Sequence, residues 1–390
     1  MSIDRLRLSA RHLVDWAAGQ ALPLWAERGF DRANGRFEER LSMDGRPVDG
    51  VPIRLMVQAR QIFCYAMAAR RGWHAGGDAL VEAAFASMLR DYRRRDGADG
   101  WVFAIHRDGA VADNRRDFYA HAFVLLAVAS YVLVTRKSAA LAVADETLAY
   151  LDKALRAPLG GYLDVVPPAG SGRSQNPHMH LFEGLLWLWS ASGEERYLVR
   201  AGEIADLFVT RFFQPAHGVV VEHFDADLTP AAGTRGRIVE PGHHFEWAWL
   251  LKRFEQASGR QLGNVPEALY DHADRYGYAE NGLVFDEILV DGTPHTTTHR
   301  LWPMTEAIKA NVAMAAAGRA PEESQARAAA LADRLASRFL TPEGGWIDRL
   351  DAGGRAATDF MPASSLYHLL GAIDELAGHA GLRTARELVN

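Results

Sequence analysis

Cysteine is almost missing from this chain: Cys64 stands alone, inside an apolar stretch. One cysteine builds no disulfide framework, and a reduced compartment, the cytoplasm, is the simple expectation. Positive charge is not in excess either. Lys and Arg number 43 against 49 Asp and Glu, a net charge of −6, which offers nothing to nucleic acid. No run approaches the roughly 18 apolar residues of a membrane span. Residues 1–16 mix charges with apolar side chains and lack the apolar centre of a signal peptide. A phosphate-cradling glycine loop and a G-x-S-x-G nucleophile turn are both absent. No spacer is long, polar and rich in Gly, Ser or Pro. Residues 1–390 therefore read as one domain, long enough to bury a large core.

What the chain does have is a repeat. A turn glycine followed by a strand-like run occurs six times: NGRFEERLSMDGRP, DGWVFAIHRDG, GGYLDVVPPAG, HGVVVEHFDADLTP, NGLVFDEILVDGTP and GGWIDRLDAGG. The markers Gly35, Gly100, Gly161, Gly218, Gly282 and Gly345 are 65, 61, 57, 64 and 63 residues apart. A period of this length marks a repeated supersecondary unit.

Each spacer carries two helix-like stretches. They are expected at 54–71 with 78–95, 117–135 with 139–156, 178–192 with 195–213, 243–257 with 265–275, and 302–317 with 321–339. The last hairpin is followed by 364–378 and a short 383–389, and a helix near 9–28 could complete that pair. The first stretch of most pairs is apolar nearly all round, which means burial. The second tends to carry charge on one face, which means a surface position. Six such pairs predict an all-α fold, an (α/α)6 barrel with short β-hairpin loops at one mouth.

In that arrangement the inner helices start at the same mouth. Their entries are polar and aromatic, and seven of the 15 histidines lie in them: His121, His178, His180, His243, His244, His299 and His368. Burying so many polar groups without use is costly, so the mouth is the candidate site. His243 and Glu246 are three apart on one helix face, as are His180 and Glu183. A carboxylate beside an imidazole orients it and raises its basicity, which suits a general base. A hydrogen-bonded core pair is the plain alternative for either one alone. Arg54 begins the first inner helix and could be an ordinary capping arginine. Trp187, Trp189, Trp247 and Trp249 read as core, whereas Trp302, beside Pro303 at a helix entry, is placed to stack on a ligand. Tyr119 and Asn176 suit hydroxyl recognition. His178-x-His180 and His243–His244 raise the question of a metal, but such positions on a helix point apart, and no metal site is expected.

PGHHFEWAWLL (241–251), RLWPMTEAIKA (300–310), QAR (58–60), DFYAHAF (117–123), NPHMHLFEGLL (176–186) and MPASSLYHL (361–369) together resemble the N-acylglucosamine 2-epimerase superfamily, over nearly the whole chain. The doubled histidine and the PASS-x-YH ending resemble its mannose isomerase branch. Leu369, Leu370 and Gly371 stand where epimerases of cellobiose or N-acylglucosamine tend to place an arginine. The resemblance implies a metal- and cofactor-free (α/α)6-barrel sugar isomerase, interconverting D-mannose and D-fructose through an enediolate. By position His243 and His368 become the proton-transfer pair, with Glu246 beside the first. Arg54 and His180 stabilise the oxyanion, and Tyr119, Asn176, Glu183, Arg237, Trp302 and Glu306 contact substrate. The expected partner is a monosaccharide, with no nucleic acid and no membrane, in a monomer or homodimer. A 2-epimerase, a sulfoquinovose isomerase, a glycoside hydrolase using a carboxylate pair and a non-catalytic sugar-binding protein are the alternatives.

Overall fold

The computed structural model describes residues 2–170 and 172–382. Among them the helices form two concentric rings. The inner ring comprises Leu55–Arg71, Phe118–Thr135, Asn176–Ser192, Pro241–Ser258, Leu301–Ala316 and Ser365–His379, called inner helices one to six. Each packs on the next, and the sixth packs on the first. The outer ring comprises Gly77–Asp91, Leu141–Ala154, Glu195–Leu207, Val265–Tyr276 and Pro321–Phe339, with the N-terminal helix Ser2–Trp16 completing it against inner helix six. That helix starts earlier than the pattern suggested and continues through a π-turn, Ala17–Ala21, into Leu22–Glu27. The helix expected over 383–389 lies outside the described residues.

The division into rings follows from composition. Inner helix two is buried over nearly its whole circumference. Outer helices such as Val265–Tyr276 and Pro321–Phe339 bury one stripe only. Inner helix two also corrects the expectation about apolar runs. By length and composition Phe118–Thr135 could cross a membrane, yet 78% of it is buried inside the protein. It is a core helix, apolar because other helices surround it.

The expected short hairpins form: across the second turn Ala104–Ile105 pairs with Val111–Asp113, and Glu287–Leu289 with Pro294–Thr296. Across each turn glycine the chain pairs with itself only briefly, as at Phe30–Asp31 with Arg36–Phe37 or Arg93 with Trp101. The run then pairs with the two or three residues that enter an inner helix of the adjacent repeat. Ile53–Arg54 joins Ala104–Ile105, Arg116–Asp117 joins Val165–Val166, and Arg173–Ser174 joins His223–Phe224. Ile238–Val239 joins Glu287–Leu289, His299–Arg300 joins Arg349–Leu350, and Phe360–Pro362 returns to Arg40–Ser42. The last pairing ties the end of the chain to its beginning and closes the ring. Six antiparallel ladders thus lock the N-termini of the inner helices around one mouth.

Side chains near the start of the inner helices fasten these turns from below. The backbone N–H of Trp101 donates to His121 Nε2 at 3.2 Å, that of Tyr162 to His178 Nε2 at 3.0 Å, and that of Val220 to His244 Nε2 at 3.1 Å. Gln58 Oε1 does the same for Phe37, and Met304 Sδ for Val284. To accept, these rings must be neutral. Burial draws the pKa of His121 down to about 4 and those of His178 and His244 to about 3. Losing one such acceptor leaves a buried N–H unpaired, which costs about 1–3 kcal/mol. The fit is close: Gly161 has φ of 61°, and a β-carbon there would lie 2.4 Å from His178 Nε2. In the sixth copy the left-handed turn residue is Gly344, φ 86°, rather than the marker Gly345.

Candidate active site

Of the seven histidines at the helix entries, His121, His178, His244 and His299 are bound to backbone atoms of the turns. They hold the fold. His178 and His180 do point apart, as do His243 and His244. His180, His243 and His368 face the interior, and a buried carboxylate holds Nδ1 of each.

His243 lies 2.9 Å from Glu222, not against Glu246. This corrects the pairing inferred from helical spacing. Helical side chains lean toward the helix N-terminus, and His243 sits in the first turn. Its ring therefore reaches back to the turn strand that carries Glu222, while Glu246 lies one turn deeper. Gln175 links this pair to the core: its amide N–H donates to Glu222 at 2.9 Å, and its Oε1 accepts from the Trp247 indole at 2.5 Å. Burial pulls the His243 pKa down, but the charges of Glu222 and Glu240 outweigh it and push the pKa up to about 9. His243 is thus an imidazolium at neutral pH.

His368 is the opposite case. Its Nδ1 is 2.8 Å from Glu306, yet burial, with the nearby positive charges of Arg60, Lys309 and His243, holds its pKa well below the ordinary value. Burial and the neighbouring Glu246 raise that of Glu306, against the pull of Lys309 at 2.5 Å. His368 is thus held as a neutral ring with Nδ1 toward Glu306. Trp302 lies between the two histidines, its ring centre 4.9 Å from that of His243 and 5.5 Å from that of His368.

The His180–Glu183 pair forms as expected, at 3.2 Å. Burial keeps His180 below its ordinary pKa. Glu183 also accepts the Tyr367 hydroxyl hydrogen. Burial raises the pKa of Glu183, but its bond to His180 and the charge of Lys309 bring it below the usual value. Glu246 stands between these groups. Its carboxylate oxygens are buried and accept no hydrogen bond, and a ligand atom of Glu246 lies within 4.8 Å of both the His180–Glu183 and the Glu306–His368 groups.

Arg54, Tyr119 and Asn176 meet in a cleft of about 330 Å³, with Met56, Phe103, Asp117 and Asp164. Arg54 is bound to Glu39 through its backbone N–H at 2.9 Å and its guanidinium at 2.6 Å. The deeper cation is Arg60, buried under the rings of Phe123 and Tyr367 and donating to the Tyr119 hydroxyl at 2.6 Å. Arg237 is not brought to the site; it is half-exposed and pairs with Asp291 at 2.7 Å.

Glu222, Arg60, Gln175 and Lys309 were not singled out from the sequence. A signal for Glu222 exists. Four residues after Gly35, Gly160, Gly218, Gly282 and Gly344 stand Glu39, Asp164, Glu222, Asp286 and Asp348. The first four accept the N–H of the residue before or near the next inner helix, and Asp348 accepts from Ser365. This recurrence places an acid ring at the mouth.

Three groupings have the donor types and spacing to hold a metal ion: His180–Glu183–Glu246, Glu222–Glu240–His243 and Glu246–Glu306–His368. In each, the histidine Nδ1 already hydrogen-bonds a carboxylate, so an ion would have to bind Nε2 or displace that bond.

The sequence profile of the N-acylglucosamine 2-epimerase (GlcNAc 2-epimerase) family matches residues 35–372. A "Mannose-6-phosphate isomerase" of Rhizobium meliloti (strain 1021) is 36% identical over 385 residues, covering 96% of this chain and 98% of that protein. A "D-mannose isomerase" of Thermobifida fusca is 31% identical over 332 residues, covering 78% and 76%. Among solved structures, a crystal structure of D-mannose isomerase superposes with a TM-score of 0.82 at 22% identity, covering 95% of this chain and 98% of that one. At that identity the likeness speaks for the barrel fold.

Proposed function

Since the chain belongs to the N-acylglucosamine 2-epimerase family and is an enzyme of the isomerase class, we propose that it interconverts D-mannose and D-fructose by proton transfer between C2 and C1. The observation that carries this reading is the pair of histidines around Trp302. One is held charged by Glu222 and the other is held neutral in a buried setting. One fold thus presents an acid and a base together at neutral pH, which is how environments divide acid and base roles.

His243 donates its proton to the ring oxygen as the C1–O5 bond breaks, and the O1 hydroxyl proton passes to a Glu246 oxygen as the aldehyde forms. His368 Nε2 then takes the C2 proton, and the electron pair moves through C1 to the carbonyl oxygen, giving the enediolate. Returning that proton to C1 while O2 becomes the carbonyl yields the ketose, so no redox partner is consumed. Arg60, with His180, faces the developing oxyanion, and Arg54, Tyr119 and Asn176 hold hydroxyls at the mouth. Glu246, with unpartnered oxygens, is placed to carry the hydroxyl hydrogen between O1 and O2. The path calls on no metal ion.

The name of the Rhizobium relative makes a phosphorylated sugar the second reading. The mouth argues for the uncharged one. Glu39, Asp164, Glu222, Asp286 and Asp348 ring it, and its arginines are already engaged: Arg54 with Glu39, and Arg300 with Glu240 and Asp286. A phosphate dianion would meet like charge there. The expected result is a kcat/KM for D-mannose at least about tenfold above that for D-mannose 6-phosphate, a margin of about 1.4 kcal/mol. Initial rates of ketose formation on both sugars, after EDTA treatment, check this. Turnover of the phosphate alone would replace the proposal, and glucose as the early product would make the enzyme an epimerase.

A further inference from the structure

Lys309 lies one turn beyond Glu306 on inner helix five, with 1% of its surface exposed. Its ammonium is 2.5 Å from the Glu306 carboxylate and 3.7 Å above the Trp249 ring. An ammonium this deep is retained only where carboxylates balance it. The other charged or titratable groups around it are Arg60 on inner helix one, His180 and Glu183 on three, His243 and Glu246 on four, and Tyr367 and His368 on six. Asp374 and Glu375, further along helix six, are taken by Arg71 and Arg253. Arg60 is engaged with Tyr119 and the Ser364 carbonyl, so among the described residues Lys309 is the cation in ion-pair contact with Glu306.

Glu306 faces His368 Nδ1 with one oxygen and Lys309 with the other. Its protonation decides which nitrogen of His368 can act as a base. As a carboxylate, Glu306 accepts a hydrogen from Nδ1, and Nε2 keeps its lone pair. As a neutral acid it would donate to Nδ1, the ring hydrogen would sit on Nε2, and the ring could not take a proton there. Burial and the charges of Glu246 and Glu183 push toward the neutral acid and raise the Glu306 pKa, and the Lys309 ammonium on its other oxygen is the group that opposes them.

We propose that Lys309 is a positioning residue whose ammonium keeps Glu306 a carboxylate and so fixes the His368 hydrogen on Nδ1. This deepens the reading of His368 as the base and rests on it, but its readout does not need turnover. The experiment is a ¹⁵N–¹H correlation of the histidine rings in the wild type, K309M and K309R, with H368N for assignment and thermal melting to establish folding. The wild type should show His368 as the Nδ1–H tautomer and K309M as the Nε2–H tautomer. K309M should lose about 10²-fold or more in kcat, a scale set by wrong-tautomer variants of other catalytic histidines, with KM changed less than about threefold. K309R should restore both the tautomer and most of kcat. A folded K309M that keeps His368 in the Nδ1–H form, active or not, overturns the proposal. K309Q serves the same comparison if K309M does not fold. Failure of the isomerase reading would be seen separately, as an H368N variant that retains activity.

Discussion

Replacing His368 by asparagine should lower kcat on D-mannose by about 10²–10⁴, the usual range for a general acid–base group, and leave KM within a few-fold. Asparagine can still hydrogen-bond Glu306 and roughly fills the ring's space, so the fold should persist, as thermal melting would show. It has no lone pair able to take the C2 proton. The His368 pKa is held well below its ordinary value, so the acid limb of the wild-type pH profile should lie well below the range expected for a free histidine. Both statements are checked by steady-state kinetics across pH. A near-wild-type kcat for H368N would remove His368 as the base.

Glu222→Gln should produce the second large effect, and its sign is set by pH. The carboxylate of Glu222, with that of Glu240, raises the His243 pKa to about 9 against the effect of burial. The acid form of His243 is needed for ring opening, so wild-type activity should fall only as pH rises through about 9. Without the Glu222 charge, burial dominates and the alkaline limb moves down by about two units or more. Above the pKa each unit is a factor of ten in the protonated fraction, so a two-unit shift from about 9 should cost about 25-fold near pH 8.5. At low pH, where His243 is charged in both proteins, the difference should shrink. A pH profile for E222Q that parallels the wild type would show that Glu222 does not hold this proton.

The ring of helix pairs was legible because its signals are local. Turn glycines recur at a near-constant period, and the first helix of most pairs is apolar all round. Which strands pair was not legible. Two-residue ladders have no periodicity to read, and their partners lie in the neighbouring repeat. The same limit hid Glu222. It is 21 residues from His243, on a turn strand, while Glu246 offers the helical spacing that pattern reading favours. His121, His178 and His244 looked functional by type and place. Their role became clear only from geometry, where Gln58 and Met304 do the same work with different side chains. Arg60 lay within the recognised QAR segment, but nothing local distinguishes a buried guanidinium under Phe123 and Tyr367 from an ordinary helical arginine. His180, Glu183, Trp302, Glu306 and His368 were found from sequence and are brought together. Arg237 was named and lies outside, paired with Asp291.

The most direct test of the central claim is proton NMR of D-mannose turned over in D₂O by EDTA-treated enzyme. Histidine-mediated proton transfer predicts fructose carrying solvent deuterium at C1, formed at the same rate with and without EDTA and not formed at a comparable rate by H368N. Fructose with no solvent deuterium at C1, from a reaction that EDTA abolishes, would contradict it and point to a metal-assisted hydride shift.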